Sequence, residues 1–134
     1  MTVICATADD TEALGARIAG NTGPGSVLSL EGPLGSGKTT FTRGFVGHFG
    51  DAPVNSPSYT IAQVYPTRPP VAHLDFYRLT DPEEVEQLGL TDYFAPEFIA
   101  LVEWGNRFPE LLPKHHKTVR LAIDVDGTRR VDII

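Results

Sequence analysis

Residues 26–46 read Ser26-Val27-Leu28-Ser29-Leu30-Glu31, then Gly32-Pro33-Leu34-Gly35-Ser36-Gly37-Lys38-Thr39, then Thr40-Phe41-Thr42-Arg43-Gly44-Phe45-Val46. The first six residues are apolar and β-prone, the last seven can carry a helix, and the eight between them fit G-x-x-x-x-G-K-[ST]. Strand, glycine loop, helix is the context in which this motif cradles phosphate. Glycines let successive backbone N–H groups turn inward around phosphate oxygens, and the new helix adds free N–H groups and its positive dipole end. The phosphate-binding residues read from the motif are Gly32, Gly35, Ser36, Gly37, Lys38, Thr39 and Thr40. Lys38 is expected to reach the β- and γ-phosphates of a nucleotide, and the Thr39 hydroxyl to ligate Mg²⁺.

Outward from this stretch the elements alternate. Val3 to Ala6 reads as a strand, and Asp9 with Glu12 as a capping box opening a helix from Asp10 to about Ala19. A helix is expected from Lys38 to about Phe49, closed by Gly50. Ser58 to Tyr65 alternates like a half-buried strand, Pro66 to Pro70 turns, and Val71 to Asp75 returns, which predicts a hairpin. Asp81-Pro82-Glu83-Glu84 reads as an N-cap, a first-turn proline and two acids at the start of a helix ending near Gly89. Phe98 to Glu103 is a continuous apolar run ending in an acid, which suits a strand covered on both faces. Val119 to Val125 and Arg129 to Ile133 flank Asp126-Gly127-Thr128 and predict a C-terminal β-hairpin. The order implies an α/β fold, a three-layer P-loop NTPase-like domain over residues 1–134 with a mixed central sheet.

Composition bounds the function. A net charge of −6 over 134 residues disfavours a chain that holds nucleic acid by itself, since such binding rests on clustered Lys and Arg. The single cysteine, Cys5, excludes an intrachain disulfide and a Cys-based zinc site; it reads as a small buried residue of the first strand. No run approaches the ~20 apolar residues of a membrane span, and the N-terminus lacks the sections of a signal peptide. A cytoplasmic protein with no membrane partner is expected.

Hydrolysis needs more than a phosphate loop: a second acid for the metal and a group that positions water. In open α/β sheets ligands sit beyond the carboxyl ends of strands, which singles out acids that end apolar strands. Asp75 ends Val71-Ala72-His73-Leu74, and Glu103 ends Phe98-Ile99-Ala100-Leu101-Val102. Asp75 is read as the metal acid and Glu103 as the water-orienting base; each could also be a solvated strand-end acid without a role. His73 shares a strand face with Asp75 and is open to two readings, a satisfied core histidine or a functional one. Asp124-Val125-Asp126-Gly127 contains D-x-D and D-x-x-G but lies in the last hairpin, with no Asn-Lys-x-Asp guanine reader anywhere, and reads as a turn. His115, His116 and His48 read as surface residues.

With these residues in view, the chain resembles the TsaE (YjeE) family of bacterial P-loop ATPases that serve threonylcarbamoyladenosine modification of tRNA. Gly32 through Gly44 resembles its extended phosphate loop, and Ser56-Pro57-Ser58-Tyr59-Thr60-Ile61 its Ser-Pro-Thr switch segment. His73-Leu74-Asp75-Phe76-Tyr77-Arg78-Leu79 resembles its His-x-Asp-x-Tyr-Arg-Leu block, Glu84 to Leu90 with Asp92 the next, and Leu101-Val102-Glu103-Trp104 its Glu-Trp block. The resemblance implies a Mg²⁺-dependent ATPase, binding ATP or ADP, slow alone and stimulated by partners resembling TsaD and TsaB, with tRNA involved only indirectly. It implies Lys38 and Thr39 as phosphate and Mg²⁺ groups, Asp75 as metal-associated acid, Glu103 as catalytic acid, Trp104 beside the nucleotide, and Ser58 and Thr60 in a switch. Ser58 stands where threonine is usual, and Gly105 where proline is usual, which implies a looser loop there. The chain also stops soon after its last hairpin, where many relatives continue into a helix. Two other functions compete. A small-molecule kinase needs an acceptor pocket and an arginine-bearing lid, and fewer than a hundred residues follow Thr39 without an arginine-rich insertion. A nucleotide-sensing switch module would use the same loop with incidental turnover. Arg43 and Arg78 are the arginines that could approach a nucleotide.

Overall fold

The computed structural model describes residues 1–57 and 60–134. Among the described residues ten α-helices and strands follow one another: β1 (Thr2–Cys5), α1 (Ala8–Ala19), β2 (Val27–Glu31), α2 (Lys38–Phe49), β3 (Ala62–Tyr65), β4 (Val71–Asp75), α3 (Pro82–Gln87), β5 (Ile99–Glu103), β6 (Lys117–Ile123) and β7 (Arg129–Ile133). The strands form one seven-stranded sheet in the order β1-β7-β6-β2-β5-β4-β3. Its centre is parallel, with β2 between β5 and β6 and β4 beside β5, whereas β3 pairs antiparallel to β4 and β7 antiparallel to both β6 and β1. This is the expected mixed sheet, with the C-terminal hairpin formed by β6 and β7.

Alternation along the buried strands divides the core in two. Leu28, Leu30, Val71, Ile99 and Leu101 face a cluster with Phe41, Phe45 and Val46 of α2 and Leu14 of α1. Val27, Ala72, Leu74, Ala100 and Val102 face the opposite cluster, closed by Val85 of α3 and by Phe76, Leu79, Leu90, Phe108 and Leu112. Burying each of these large side chains contributes about 2 kcal/mol, so both faces of the sheet hold helices in place. The layers are therefore α1 and α2, the sheet, and α3 with short 3-10 turns. Helices α1 and α2 pack closely: a Cβ on Gly15 would strike the Phe41 carbonyl, and one on Gly44 the Glu12 carbonyl.

Several boundaries differ from the sequence reading. Helix α1 is capped by Thr7, not Asp9: the Asp10 amide donates to Thr7 Oγ1 at 3.2 Å and the Thr7 amide to Asp10 Oδ2 at 3.2 Å. Threonine and the shorter Asp close the same reciprocal box two residues earlier. Of the strand expected from Ser58 to Tyr65, residues 58 and 59 lie outside the described residues, and β3 begins at Ala62, because the Thr60 and Ile61 amides both bond the Pro57 carbonyl and Ile61 takes a φ of 68°. The α3 cap is as expected, with Asp81 accepting from the Glu83 amide at 2.8 Å and Pro82 in the first turn. Cys5 is buried, and Gly127 in the last hairpin has a φ of 85°.

Candidate functional site

The register of the sheet builds the site. Leu30 of β2 pairs with Glu103 of β5, and Glu103 pairs with Asp75 of β4, so both acids stand at the level where β2 ends and the glycine loop begins. A cavity of about 730 Å³ opens there, lined by Gly35, Gly37, Lys38, Thr39, Thr40, Asp75, Glu103 and Trp104. Gly32 and Ser36, also read as phosphate residues, shape the loop itself. The Gly32 carbonyl accepts from Lys38 Nζ at 2.7 Å, and a Cβ on Gly32 would lie 2.6 Å from both the Leu121 carbonyl and Ser36 Oγ. Ser36 is fully buried, and its hydroxyl has no hydrogen-bond partner among the described residues.

The loop presents donors. Gly37, with a φ of 106°, opens α2 without any side-chain cap, and the first helical bond runs from the Phe41 amide to the Gly37 carbonyl at 2.8 Å. The amides of Lys38, Thr39 and Thr40 therefore have no acceptor within the helix, at the end where the dipole is positive. An uncapped helix end, a positive-φ glycine turn and a lysine at its mouth fit a polyphosphate. For a divalent cation, Thr39 and Asp75 share the cavity, and no cluster of three or more His, Cys, Asp or Glu is found among the described residues. That donor set fits Mg²⁺, which takes one or two protein oxygens and completes its shell with phosphate and water.

The acids differ in their surroundings. Asp75 is 6 % exposed and accepts from the Tyr77 amide at 2.8 Å. Burial raises its pKa and the charge of Glu103 adds to this, against the Tyr77 bond, Lys38 and His73. Glu103, 4 % exposed, has both oxygens engaged: Oε1 lies 3.8 Å from Lys38 Nζ, and Oε2 accepts from His73 Nε2 at 2.7 Å. Trp104 follows in the left-handed region, φ 60° and ψ 27°, a costly backbone for a bulky residue that turns its ring over the site. Lys38 Nζ lies 5.0 Å from the centre of that ring, and the Tyr77 ring packs against it at 5.0 Å. The looser loop expected at Gly105 is not found. Gly105 is buried, and a Cβ there would meet Ser29, Leu112 and Val102 side chains at 3.1–3.2 Å.

Of the expected switch, Ser58 lies outside the described residues, and Thr60 is exposed in the turn after Pro57. Ser56 lines the cavity. Arg78 also lines it, whereas Arg43 lies in a separate groove between α1 and α2. Sequence reasoning missed two contributions. Thr7 and Thr11 reach the cavity from the other side of the loop, and so does Arg129, which donates to the Gly127 carbonyl at 2.6 Å and the Gly35 carbonyl at 3.1 Å. No local motif marks them, because Thr11 reaches the loop through α1 packed on α2, and Arg129 through the β6-β7 hairpin beside β2. His73, left open between two readings, is fully buried and bonded to Glu103. His115 and His116 bond backbone carbonyls at Gly25 and Pro113, away from the site.

Comparison with known proteins agrees with this arrangement. The family model described as threonylcarbamoyl adenosine biosynthesis protein TsaE matches residues 5–131. The tRNA threonylcarbamoyladenosine biosynthesis protein TsaE of Bacillus subtilis is 40% identical over 92% of this chain and 78% of its own length. That of Treponema pallidum is 31% identical over 99% of both chains. A crystal structure of YdiB from Bacillus subtilis superposes with a TM-score of 0.83 at 32% identity, covering 98% of this chain and 82% of that one. The chain belongs to the TsaE family.

Proposed function

We propose that the chain is a Mg²⁺-dependent ATP-binding and ATP-hydrolysing subunit that serves threonylcarbamoyladenosine modification of tRNA, acting with TsaD-like and TsaB-like partners in the cytoplasm. The observation that carries the reading is the convergence of the glycine loop, Lys38, Thr39, Asp75, Glu103 and Trp104 on one cavity at the carboxyl ends of parallel strands. The names of the relatives supply the tRNA modification.

The chemistry follows from the residues. The free amides of the loop and of the α2 N-terminus bind phosphate oxygens, and Lys38 counters the charge of the terminal phosphates. Thr39 and Asp75 supply oxygens for Mg²⁺, which when bound neutralises negative charge on the phosphate chain. Glu103, held between Lys38 and His73, orients a water for in-line attack and accepts its proton, while the Trp104 and Tyr77 rings wall the nucleotide from solvent. A kinase would instead place an acceptor hydroxyl beside Glu103, and phosphate release without any acceptor tells the two apart. A pure switch module predicts equal turnover in wild type and Glu103→Ala.

The test is phosphate release from Mg·ATP by the purified chain, alone and with its partners. Glu103→Ala is expected to keep ADP affinity within about twofold and to lose turnover by about a hundredfold, the scale of a positioned base. Asp75→Ala should instead abolish the Mg²⁺ dependence of nucleotide binding. Identical behaviour of the two variants would overturn the division of roles.

A further inference from the structure

Beneath Glu103 a chain of polar groups runs through buried His73 and Tyr65 to Asn55, and the proposed chemistry uses only its first contact. Glu103 Oε2 accepts from His73 Nε2 at 2.7 Å, and His73 Nδ1 lies 3.1 Å from the Tyr65 hydroxyl. That hydroxyl is also 3.0 Å from the Asn55 carbonyl and 3.1 Å from Gln63 Oε1. An ionised carboxylate only accepts, so His73 Nε2 carries the hydrogen of that bond. Tyr65 has one hydrogen to share among His73, Asn55 and Gln63, so its hydroxyl is the junction of the chain.

We propose that His73 is the positioning residue of Glu103, and that the Tyr65 hydroxyl links that position to Asn55, where the segment 55–60 begins. The inference rests on the reading of Glu103 as the water-orienting base. The imidazole is 0 % exposed, so no solvent competes for Nε2, and the bond to Oε2 fixes the rotation of the carboxylate. The other oxygen, Oε1, is thereby turned toward Lys38 and the mouth of the loop. Without His73 the carboxylate would swing freely about its last bond, and a misplacement of about 1 Å in a reacting group can cost on the order of a hundredfold in rate.

Geometry favours this role over a merely structural histidine. His73 stands between Val71 and Asp75 on the face packed by α2, where an aliphatic side chain would bury without any polar group to satisfy. What it does instead is join the end of β5 to the end of β3, two strands that do not touch, across β4. Asn55 follows Val54, which anchors in the core, and precedes Ser56, which lines the cavity. A shift of the segment around Ser56 therefore changes how the Tyr65 hydroxyl is shared between the Asn55 carbonyl and His73, and reaches Glu103 through the imidazole.

The experiment compares single-turnover hydrolysis of Mg·ATP, ADP affinity from Trp104 fluorescence, and the His73 ring signals in ¹⁵N NMR. His73→Leu should slow turnover about tenfold while leaving ADP affinity within twofold, and His73→Gln, which keeps an amide donor toward Glu103, should recover to within about threefold of wild type. In a Glu103→Ala background, His73→Leu should add no further loss, because it acts only through that carboxylate. Wild type should show a strongly hydrogen-bonded proton on Nε2, and Glu103→Ala should lose that proton signal. Tyr65→Phe should speed amide exchange at residues 54–56 and cost turnover about threefold, a variant that leaves the ring packing intact. Losses that multiply in the double variant, or His73→Gln no better than His73→Leu with ADP affinity falling alongside, would overturn the inference and leave Glu103 as the base. Undiminished turnover in Glu103→Ala alone would overturn the functional reading and the inference with it.

Discussion

Asp75 has its carboxyl at 6 % exposure, with burial raising its pKa and Glu103 adding to the effect against the Tyr77 amide, Lys38 and His73. A folded-state pKa above the unfolded value means that the fold holds the proton more tightly than the open chain does. The ionised group thus costs stability at neutral pH, and that stability returns as pH falls through the raised value and levels off below the ordinary carboxylate range. Asp75→Asn, which keeps the oxygen that accepts from Tyr77, should raise Tm at pH 7.5 by about 2–4 °C without ligands. The gain should vanish by about pH 3.5, below the usual Asp value. Thermal melts across pH check this; a lower Tm for the variant at neutral pH would show that the carboxylate is a net anchor of the fold. A carboxylate held at the expense of stability is what a functional site predicts. Lys38→Ala tests the loop directly. Nζ donates to the Gly32 carbonyl and lies 5.0 Å from the Trp104 ring, so the variant should lose the nucleotide-dependent change in Trp104 fluorescence together with ADP affinity. Retained affinity would remove the loop from the functional argument.

At the scale of elements, the approach of α1 to α2 sets where the loop sits, because α2 begins inside it. The facing glycines Gly15 and Gly44 permit that approach, and a side chain at Gly44 would meet the Glu12 carbonyl backbone, which cannot step aside. Gly44→Ala should cost about 1–3 kcal/mol by urea denaturation, and the displaced helix should weaken ADP binding as well. Unchanged stability would show that the helices separate freely. These elements were legible to different degrees. The strand-loop-helix of residues 27–49 was readable because its signals are local: a β-prone run, three glycines and a Lys-Thr pair. The α3 cap at Asp81 and the hairpin of β3 and β4 were local too. Asp75 and Glu103 were found because a strand-end acid is visible in an apolar run. The partners of those acids were not, since His73 meets Glu103 only after β4 and β5 pair, and Tyr65 meets His73 only across the hairpin. Nothing local indicates that α1 packs on α2 and β6-β7 beside β2, which brings Thr7, Thr11 and Arg129 to the loop. Such pairings depend on contacts distant in sequence, on which periodicity carries no information.

The whole molecule is acidic, 17 Asp and Glu against 11 Lys and Arg, and the fold commits several of the cations to its own backbone and acids. Lys38 bonds the loop, Arg129 the Gly127 and Gly35 carbonyls, Arg120 is paired with Glu31 at 3.0 Å, and Arg130 lies 3.5 Å from Asp132. Holding tRNA needs a row of cations aligned with phosphates, because each neutralised phosphate releases counterions and sets the salt dependence of binding. A chain so composed should not retain tRNA at physiological salt, and its role in tRNA modification then requires partners that do. The exposed apolar residues have a matching distribution. Leu34 is 97% exposed at the tip of the glycine loop and Tyr77 56% exposed beside Trp104, and both line the cavity where a partner would close over a nucleotide. Filter binding of tRNA to the purified chain at 150 mM salt should therefore give no saturable signal, whereas adding the TsaD-like and TsaB-like pair should give retention and faster phosphate release together. Saturable tRNA binding by the chain alone, weakening steeply with salt, would place a phosphate-binding surface on this molecule and return the recognition of tRNA to it. Faster phosphate release with the pair but without tRNA would instead separate the two effects, and it would locate the stimulation in closure of the cavity by protein, the outcome that Leu34 and Tyr77 favour.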